Sequence, residues 1–206
     1  MHVIFGTFHF IITYDIIVWI RGGNMLKTKD ILDDKNKKLR HKNREVTFPI
    51  SEERKELINS MVEHLRLSQS DEMSKKYNLR PGMGLAAPQL GINETFFVVV
   101  YENKKGTFNE YIAINPKVLS VSKELIYAGA GEGCLSVNRE VEGIVPRHAR
   151  ITVEAYDMNG KKRKFRIREE EAIAFEHELD HLKGIMFYDK IDQKNPFLNS
   201  EEMRMI

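Results

Sequence analysis

His177-Glu178-Leu179-Asp180-His181 decides how the rest of the chain is read. Wound as an α-helix, it sets two imidazoles four residues apart on one face, close enough to hold one metal ion. Glu178 projects at the edge of that face, where it reaches a metal-bound water without being a ligand itself. Local signals support the helix. Glu169, Glu170 and Glu171 put negative charge at its N-terminus, where the macrodipole favours it. Ile173, Ala174, Phe175, Leu179 and Leu182 supply an apolar side, and Gly184 stands where a left-handed stop is expected. The pentapeptide alone decides little about chemistry, because a helix carrying two satisfied histidines is ordinary.

A chain of 206 residues, 30% charged and 42% hydrophobic, suits one soluble globular domain with a sizeable core. Its formal charge of +2 gives no case for a nucleic-acid partner. Before the helix, Ser51 opens a segment in which Leu57, Ile58, Met61, Val62 and Leu65 recur at helical spacing, a core-packing stripe. Residues 70–93 read as a loop, and residues 95–101 (TFFVVVY) as a buried strand. A second strand spans 111–120, interrupted at Asn115-Pro116, where the missing N–H calls for an edge or a bulge. Residues 151–157 and 162–168 alternate around Asn159-Gly160, a hairpin signal. Strands followed by one helix give an α+β fold class, with mixed or antiparallel strands packed around the metal-binding helix. Residues 25–44 are basic and polar and read as a surface arm, and residues 195–206 as a polar tail.

Two histidines leave a catalytic metal short of its usual third protein ligand. A metzincin-like site needs a third His three residues after Gly184, and position 187 is Phe. A thermolysin-like site needs a downstream Glu, and Glu201 and Glu202 sit in the polar tail. The stronger candidate is Cys134, the single cysteine, within Gly131-Glu132-Gly133-Cys134-Leu135-Ser136. Glycines let that backbone approach an ion, and a thiolate suits soft or borderline metals. A buried structural cysteine and a Cys-His nucleophile pair are the alternatives. One cysteine also excludes an intramolecular disulfide and suits a reducing interior. A third stretch, Gly82-Met83-Gly84-Leu85-Ala86-Ala87-Pro88-Gln89, lacks the strand and third Gly of a dinucleotide fingerprint. Its small residues suit a loop pressed against a substrate backbone, with Gln89 as the side chain able to donate to a carbonyl oxygen; a tight structural turn is the plain alternative.

GMGLAAPQ, EGCLS and HELDH, in that order, resemble the three signature motifs of the peptide deformylases, which remove formyl from nascent chains. The resemblance runs from about Met25 to Lys194 and is closest to the longer type of Gram-positive bacteria, judged by SQSDEMSKKYNLRPGMGLAAPQ and GIMFYDKID. It implies Cys134, His177 and His181 as metal ligands, with Fe(II) as the physiological ion and Zn, Ni or Co as substitutes. It implies Glu178 as general acid/base, Gln89 and the Leu135 N–H as oxyanion donors, and a metal-bound hydroxide attacking the formyl carbon. Substrate contacts are expected at Gly84, Leu85, Glu132, Gly133, Ile173 and Ala174, with Leu85, Ile173 and Ala174 beside a methionine pocket. The family resemblance also implies a buried pair between Asp180 and Arg147. The expected substrate is an N-formylated nascent peptide, met in the cytoplasm by a monomer, with ribosome contact a further expectation and no membrane partner. A zinc endopeptidase and a metal-binding relic without turnover are the rival readings. The sequence departs from the family in its arm, where Lys35-Asn36-Lys37-Lys38-Leu39-Arg40 replaces the usual Gly-x-Pro-x-Leu-Arg, and in lacking a basic helix in NSEEMRMI.

The division expected is a non-native upstream extension or a disordered leader over 1–24, with a membrane anchor as the competing reading, a catalytic domain over 25–194 and a polar tail over 195–206. Residues 1–20 are strongly apolar but carry His2, His9 and Asp15, and lack the basic start and small-residue cleavage site of a signal peptide. Arg21-Gly22-Gly23-Asn24 is encoded by purine-rich runs such as AGA GGA GGT AAT, a ribosome-binding sequence at a sensible distance before Met25. The working protein is therefore expected to begin at Met25. N-terminal mass spectrometry of protein from the native host checks this, and a mature peptide spanning Tyr14 to Lys27 would refute it.

Overall fold

Phe96-Phe97-Val98-Val99-Val100 has no polar member, so a strand built from it must be covered on both faces. The computed structural model, which describes residues 25–103 and 105–206, covers it in that way. The expectation for residues 1–24 lies outside the described residues. Strands β1 (Gly84–Ala86), β2 (Phe96–Glu102), β3 (Phe108–Val121), β4 (Leu125–Tyr127), β5 (Arg147–His148), β6 (Arg150–Tyr156), β7 (Lys162–Arg168) and β8 (Arg204–Met205) form two sheets. The larger is antiparallel, in the order β1-β2-β3-β6-β7. The smaller has the order β5-β4-β8, with β8 parallel to β4. Among the described residues three α-helices accompany them: α1 (Glu52–Ser68), α2 (Asp71–Tyr77) and α3 (Glu169–His181).

Strand alternation sorts the core into two layers. Phe96, Val98 and Val100 pack with Leu85 and Ile114 beneath Ile58, Met61 and Leu65 of α1. Phe97 and Val99 pack with Ala113, Val153 and Ile167 beneath Ala172, Phe175 and Leu179 of α3. Each such side chain contributes roughly 1.5–3 kcal/mol by leaving water. The sheet thus carries α3 on one face as a buried central helix. This is the α+β arrangement expected, mixed strands around the helix that bears the two histidines.

Ser51 caps α1 by accepting from the Arg54 N–H at 3.3 Å. The register of β3 against β6 shifts between Ile114 and Lys117, a bulge at Asn115-Pro116. Asn115 sits there at φ 50, and its side chain accepts from the Val46 N–H at 2.8 Å and donates to the Val46 carbonyl at 2.9 Å. The bulge therefore holds the N-terminal arm as well as bending the strand. At the β6–β7 hairpin, Gly160 takes φ +73 and Asp157 Oδ1 accepts from the Asn159 and Lys161 amides, each at 3.0 Å.

The region read as one loop over 70–93 contains α2, β1 and a 3-10 turn over Ala87–Leu90. Helix α2, with only Met73 and Tyr77 as apolar members, is too short for an apolar period; its signals are the Ser70 cap on the Met73 N–H and the left-handed Asn78 at φ 53. The arm is likewise more than a surface segment, because Leu26, Ile31 and Leu39 are buried. Leu39 packs into a third cluster with Cys134, Met186 and Phe187. The tail read as polar returns to the fold as β8. Among the described residues, no helix is long and apolar enough to cross a membrane.

Candidate metal centre and active site

Helix α3 has two working sides. Ala172, Phe175 and Leu179 face the sheet, and the Phe175 ring meets Phe97, Tyr111 and Phe165 edge-on at 5.3, 5.2 and 6.1 Å. That aromatic contact fixes the helix against β2, β3 and β7. His177, Glu178 and His181 fall on the other sides and are buried as well. Gly184 closes the helix at φ +75, and a Cβ there would stand 2.6 Å from the Arg40 carbonyl oxygen, so the arm closes over the helix end.

The loop over 128–136 brings Cys134 to the two histidines. One ligand atom from each of Cys134, His177 and His181 lies within 4.8 Å of the others, and all three residues are buried. Cys134 Sγ is 3.3 Å from His181 Nε2. His177 Nδ1 meets Glu132 Oε2 at 3.0 Å, which fixes the tautomer and leaves Nε2 for the converging side. One soft sulfur and two imidazoles at this separation fit a divalent transition ion. At the position where a metzincin would carry its third histidine, Phe187 stacks on His177 at 5.9 Å. Glu201 and Glu202 lie in an exposed 3-10 turn and do not line the cleft.

Arg147 holds this loop and helix together. It is fully buried, and donates to Glu132 at 2.7 and 2.9 Å and to Asp180 at 2.5 Å. Lys190 also reaches Asp180, at 3.1 Å. Burial alone would raise the Glu132 carboxyl, but the Arg147 and His177 hydrogen bonds hold it down at about 2. Burial likewise disfavours a charged His177, yet Cys134 and Glu132 outweigh it and raise its pKa; His181, buried beside the cations of His177 and Arg147, is lowered.

Glu178 is the exception among the carboxylates. Burial pushes it up to about 7, against the pull of His177 and Arg147. Its Oε2 is buried with no hydrogen-bond partner among the described residues, as a proton carrier facing a substrate would be. A Cβ at Gly84 would overlap the Glu178 carboxylate, so glycine is needed there for steric reasons although its φ is ordinary. Gln89 is oriented by its own neighbour: Oε1 accepts from the Ala86 N–H at 2.8 Å, which turns Nε2 toward Ser136 Oγ at 3.2 Å and Cys134 Sγ at 3.6 Å.

A cleft of about 340 Å³ opens beside these groups, and Gly84, Gln89, Gly133, Leu135, Ile173 and Ala174 line it. Leu85 does not. Strand alternation turns it away from Gly84 and into the core under α1, so its place beside a methionine pocket is corrected. Glu132 lines the cleft, but its carboxylate is engaged by Arg147 and His177. Arg80 was not singled out from the sequence. It donates to the carbonyls of Cys134, Leu135 and Val137 at 3.2, 3.3 and 3.0 Å and so pins the ligand loop. Its only local signal was a cation next to Pro81 in an otherwise polar stretch. Ile206, at the other end of the chain, also lines the cleft and carried no signal.

The family model of the polypeptide deformylases matches residues 28–197. A peptide deformylase of Macrococcus caseolyticus is 49% identical over 173 residues, 84% of this chain and 94% of that protein. Peptide deformylase 2 of Bacillus anthracis is 47% identical over the same shares. Among solved structures, the peptide deformylase of Acinetobacter baumannii with Met-Ala-Ser bound is 26% identical, with a TM-score of 0.63 over 78% of this chain and 96% of that one.

The buried pair of Arg147 and Asp180 makes a quantitative prediction. Asp180→Asn or Arg147→Met should each lower unfolding stability, by up to roughly 3–5 kcal/mol, since either takes one partner from a buried charge and leaves only Glu132 to Arg147 or Lys190 to Asp180. Urea denaturation of both singles and the double variant should show a coupling energy of at least about 1 kcal/mol. Additive losses would reject the pairing.

Proposed function

The chain belongs to the polypeptide deformylase family, hydrolases that remove the N-formyl group from nascent peptides, and from that membership we propose how its own residues carry the reaction. The observation that carries the reading is the convergence of Cys134, His177 and His181 beside a buried, raised Glu178. Those three residues would hold the ion, Fe(II) in the cell by family resemblance, with Zn, Ni or Co as substitutes suited to the same donors. When bound, the ion supplies a Lewis acid that polarises the formyl carbonyl and acidifies water.

The protein's own groups do the rest. Glu132 keeps the proton of His177 on Nδ1, so Nε2 presents its lone pair. Glu178 takes a proton from the attacking water and passes it to the departing amine nitrogen. The formyl C–N bond breaks, and formate and a free N-terminus leave. Gln89 Nε2 and the Leu135 N–H donate to the oxygen that gains charge, each worth a few kcal/mol in a preorganised site. Gly84 brings peptide backbone close to Glu178 without a side chain between them. Ile173 and Ala174, one turn before His177, line the cleft where the methionine side chain would lie. A site of this kind works on peptides that carry a chain terminus, in agreement with the Met-Ala-Ser found in the Acinetobacter baumannii enzyme.

Formate release from formyl-Met-Ala-Ser, with acetyl-Met-Ala-Ser as control, tests the proposal. Turnover of the formyl peptide alone is expected, and cleavage of internal peptide bonds instead would favour an endopeptidase. Replacing Cys134, His177 or His181 by Ala should remove both metal and turnover. Glu178→Gln should keep the metal and lose at least about 100-fold in kcat, because proton transfer alone is removed. In the wild type, Glu178 must be ionised to accept a proton, so kcat/KM falls as pH drops through its pKa. A bound cation lowers that value, which places the acid limb below 7. A Glu178→Gln protein that arrives without metal, or keeps its rate, would overturn its assigned role.

A further inference from the structure

The cleft extends well past the reacting centre. Along α3 it is lined by His177, then Ala174 and Ile173, then Glu170, a run of roughly 10 Å on one side of the helix. The lining also includes a residue distant in sequence, Ile206, together with Ala128. Ile206 is held there by main-chain bonds. Its N–H donates to the Tyr127 carbonyl at 3.0 Å, and its carbonyl accepts from the Gly129 N–H at 2.8 Å. Strand β8 before it is registered on β4, with Arg204 opposite Ile126 and Met205 opposite Tyr127. Arg204 adds a two-pronged ion pair to Glu169, the first residue of α3, at 2.8 and 2.9 Å, and donates to Glu124 at 2.9 Å. A Cβ at Gly129 would come within 2.8 Å of the Met205 side chain, so the segment after β4 lies close against β8.

Strand β8 is thus fixed to both walls of the cleft, α3 on one side and the start of the Cys134 loop on the other. The residue it delivers to the cleft is apolar. We infer that Ile206 is a specificity-determining residue: its side chain forms the outer end wall of the pocket that receives the first side chain of the formylated peptide, and sets the length of side chain accepted. The inference rests on the deformylase reading of the site. The main-chain bonds of Ile206 go to Tyr127 and Gly129 rather than to the groups assigned to bond breaking, so its effect belongs in KM and in the ranking of substrates. Its backbone bonds survive a change of side chain, and Arg204 stays in place, so the variants below keep the anchor of β8.

The experiment measures kcat and KM of the metal-loaded wild type, Ile206→Ala and Ile206→Trp on formyl-Met-Ala-Ser, formyl-Ala-Ala-Ser and the one-methylene-longer formyl-ethionyl-Ala-Ser. Ile206→Trp should shorten the pocket and raise KM for the Met peptide about 10-fold, and more for the ethionyl peptide, with kcat unchanged. The Ala peptide, too short to reach the wall, should keep its wild-type KM in both variants. Ile206→Ala should shift the preference several-fold toward the ethionyl peptide. Wild-type turnover with substrate ratios unchanged in both variants, or with all three peptides changed alike, overturns the inference alone. A wild type that releases formate from none of the three overturns the deformylase reading and this inference with it.

Discussion

A single guanidinium, buried between two carboxylates, sets the geometry on which the site depends. Arg147 lies on β5, Glu132 two residues before Cys134, and Asp180 between the two histidines of α3. Each ion alone would be costly to remove from water, by several kcal/mol, and the three are tolerable only together. The consequence is positional. The loop that bears the sulfur cannot drift from the helix that bears the imidazoles without exposing an unpaired charge to a dry interior. Glu132 also holds His177 Nδ1, so the same carboxylate that balances Arg147 leaves Nε2 as the ring nitrogen on the side of Cys134 and His181, where an ion could be held.

The packing explains why the helix tolerates so much buried polarity. Phe175 and Leu179 fasten one side of α3 to a sheet whose second strand is apolar from Phe96 to Val100. The opposite sides are free to carry His177, Glu178, Asp180 and His181, all buried, each answered by charge, by a converging ligand set or, for Glu178, by a raised pKa. Glycine at 84 brings β1 against the Glu178 carboxylate, so the acid sits between strand and helix with little water about it. Desolvation there raises the affinity of Glu178 for a proton, the property required of a group that accepts one and returns it.

Much of this was legible in the sequence because it is encoded locally. The helix announced itself through His177 and His181 at a four-residue spacing, and the bulge through Asn115-Pro116 inside an apolar run. The hairpin followed from Asn159-Gly160. What escaped the reading depends on contacts between distant segments or on elements too short for a period. Helix α2 has seven residues and no apolar stripe, leaving only its caps to mark it. Leu39 looks like one apolar residue in a basic arm until it meets Met186 and Phe187. Leu85, expected beside a methionine pocket, packs into the core under α1 instead, and a three-residue strand gives no alternation from which to fix its face. Arg80 and Ile206 reach the site across 54 and 78 residues of chain from Cys134 and Ala128, a relation no window of sequence contains.

Two segments, the Cys134 loop and helix α3, would hold one ion through one thiolate and two imidazoles. X-ray absorption spectroscopy of the purified, metal-loaded protein measures that donor set without reference to turnover. A first shell with one sulfur and two imidazole nitrogens, losing its sulfur in Cys134→Ser, is the result expected. A shell of nitrogen and oxygen alone in the wild type would contradict it.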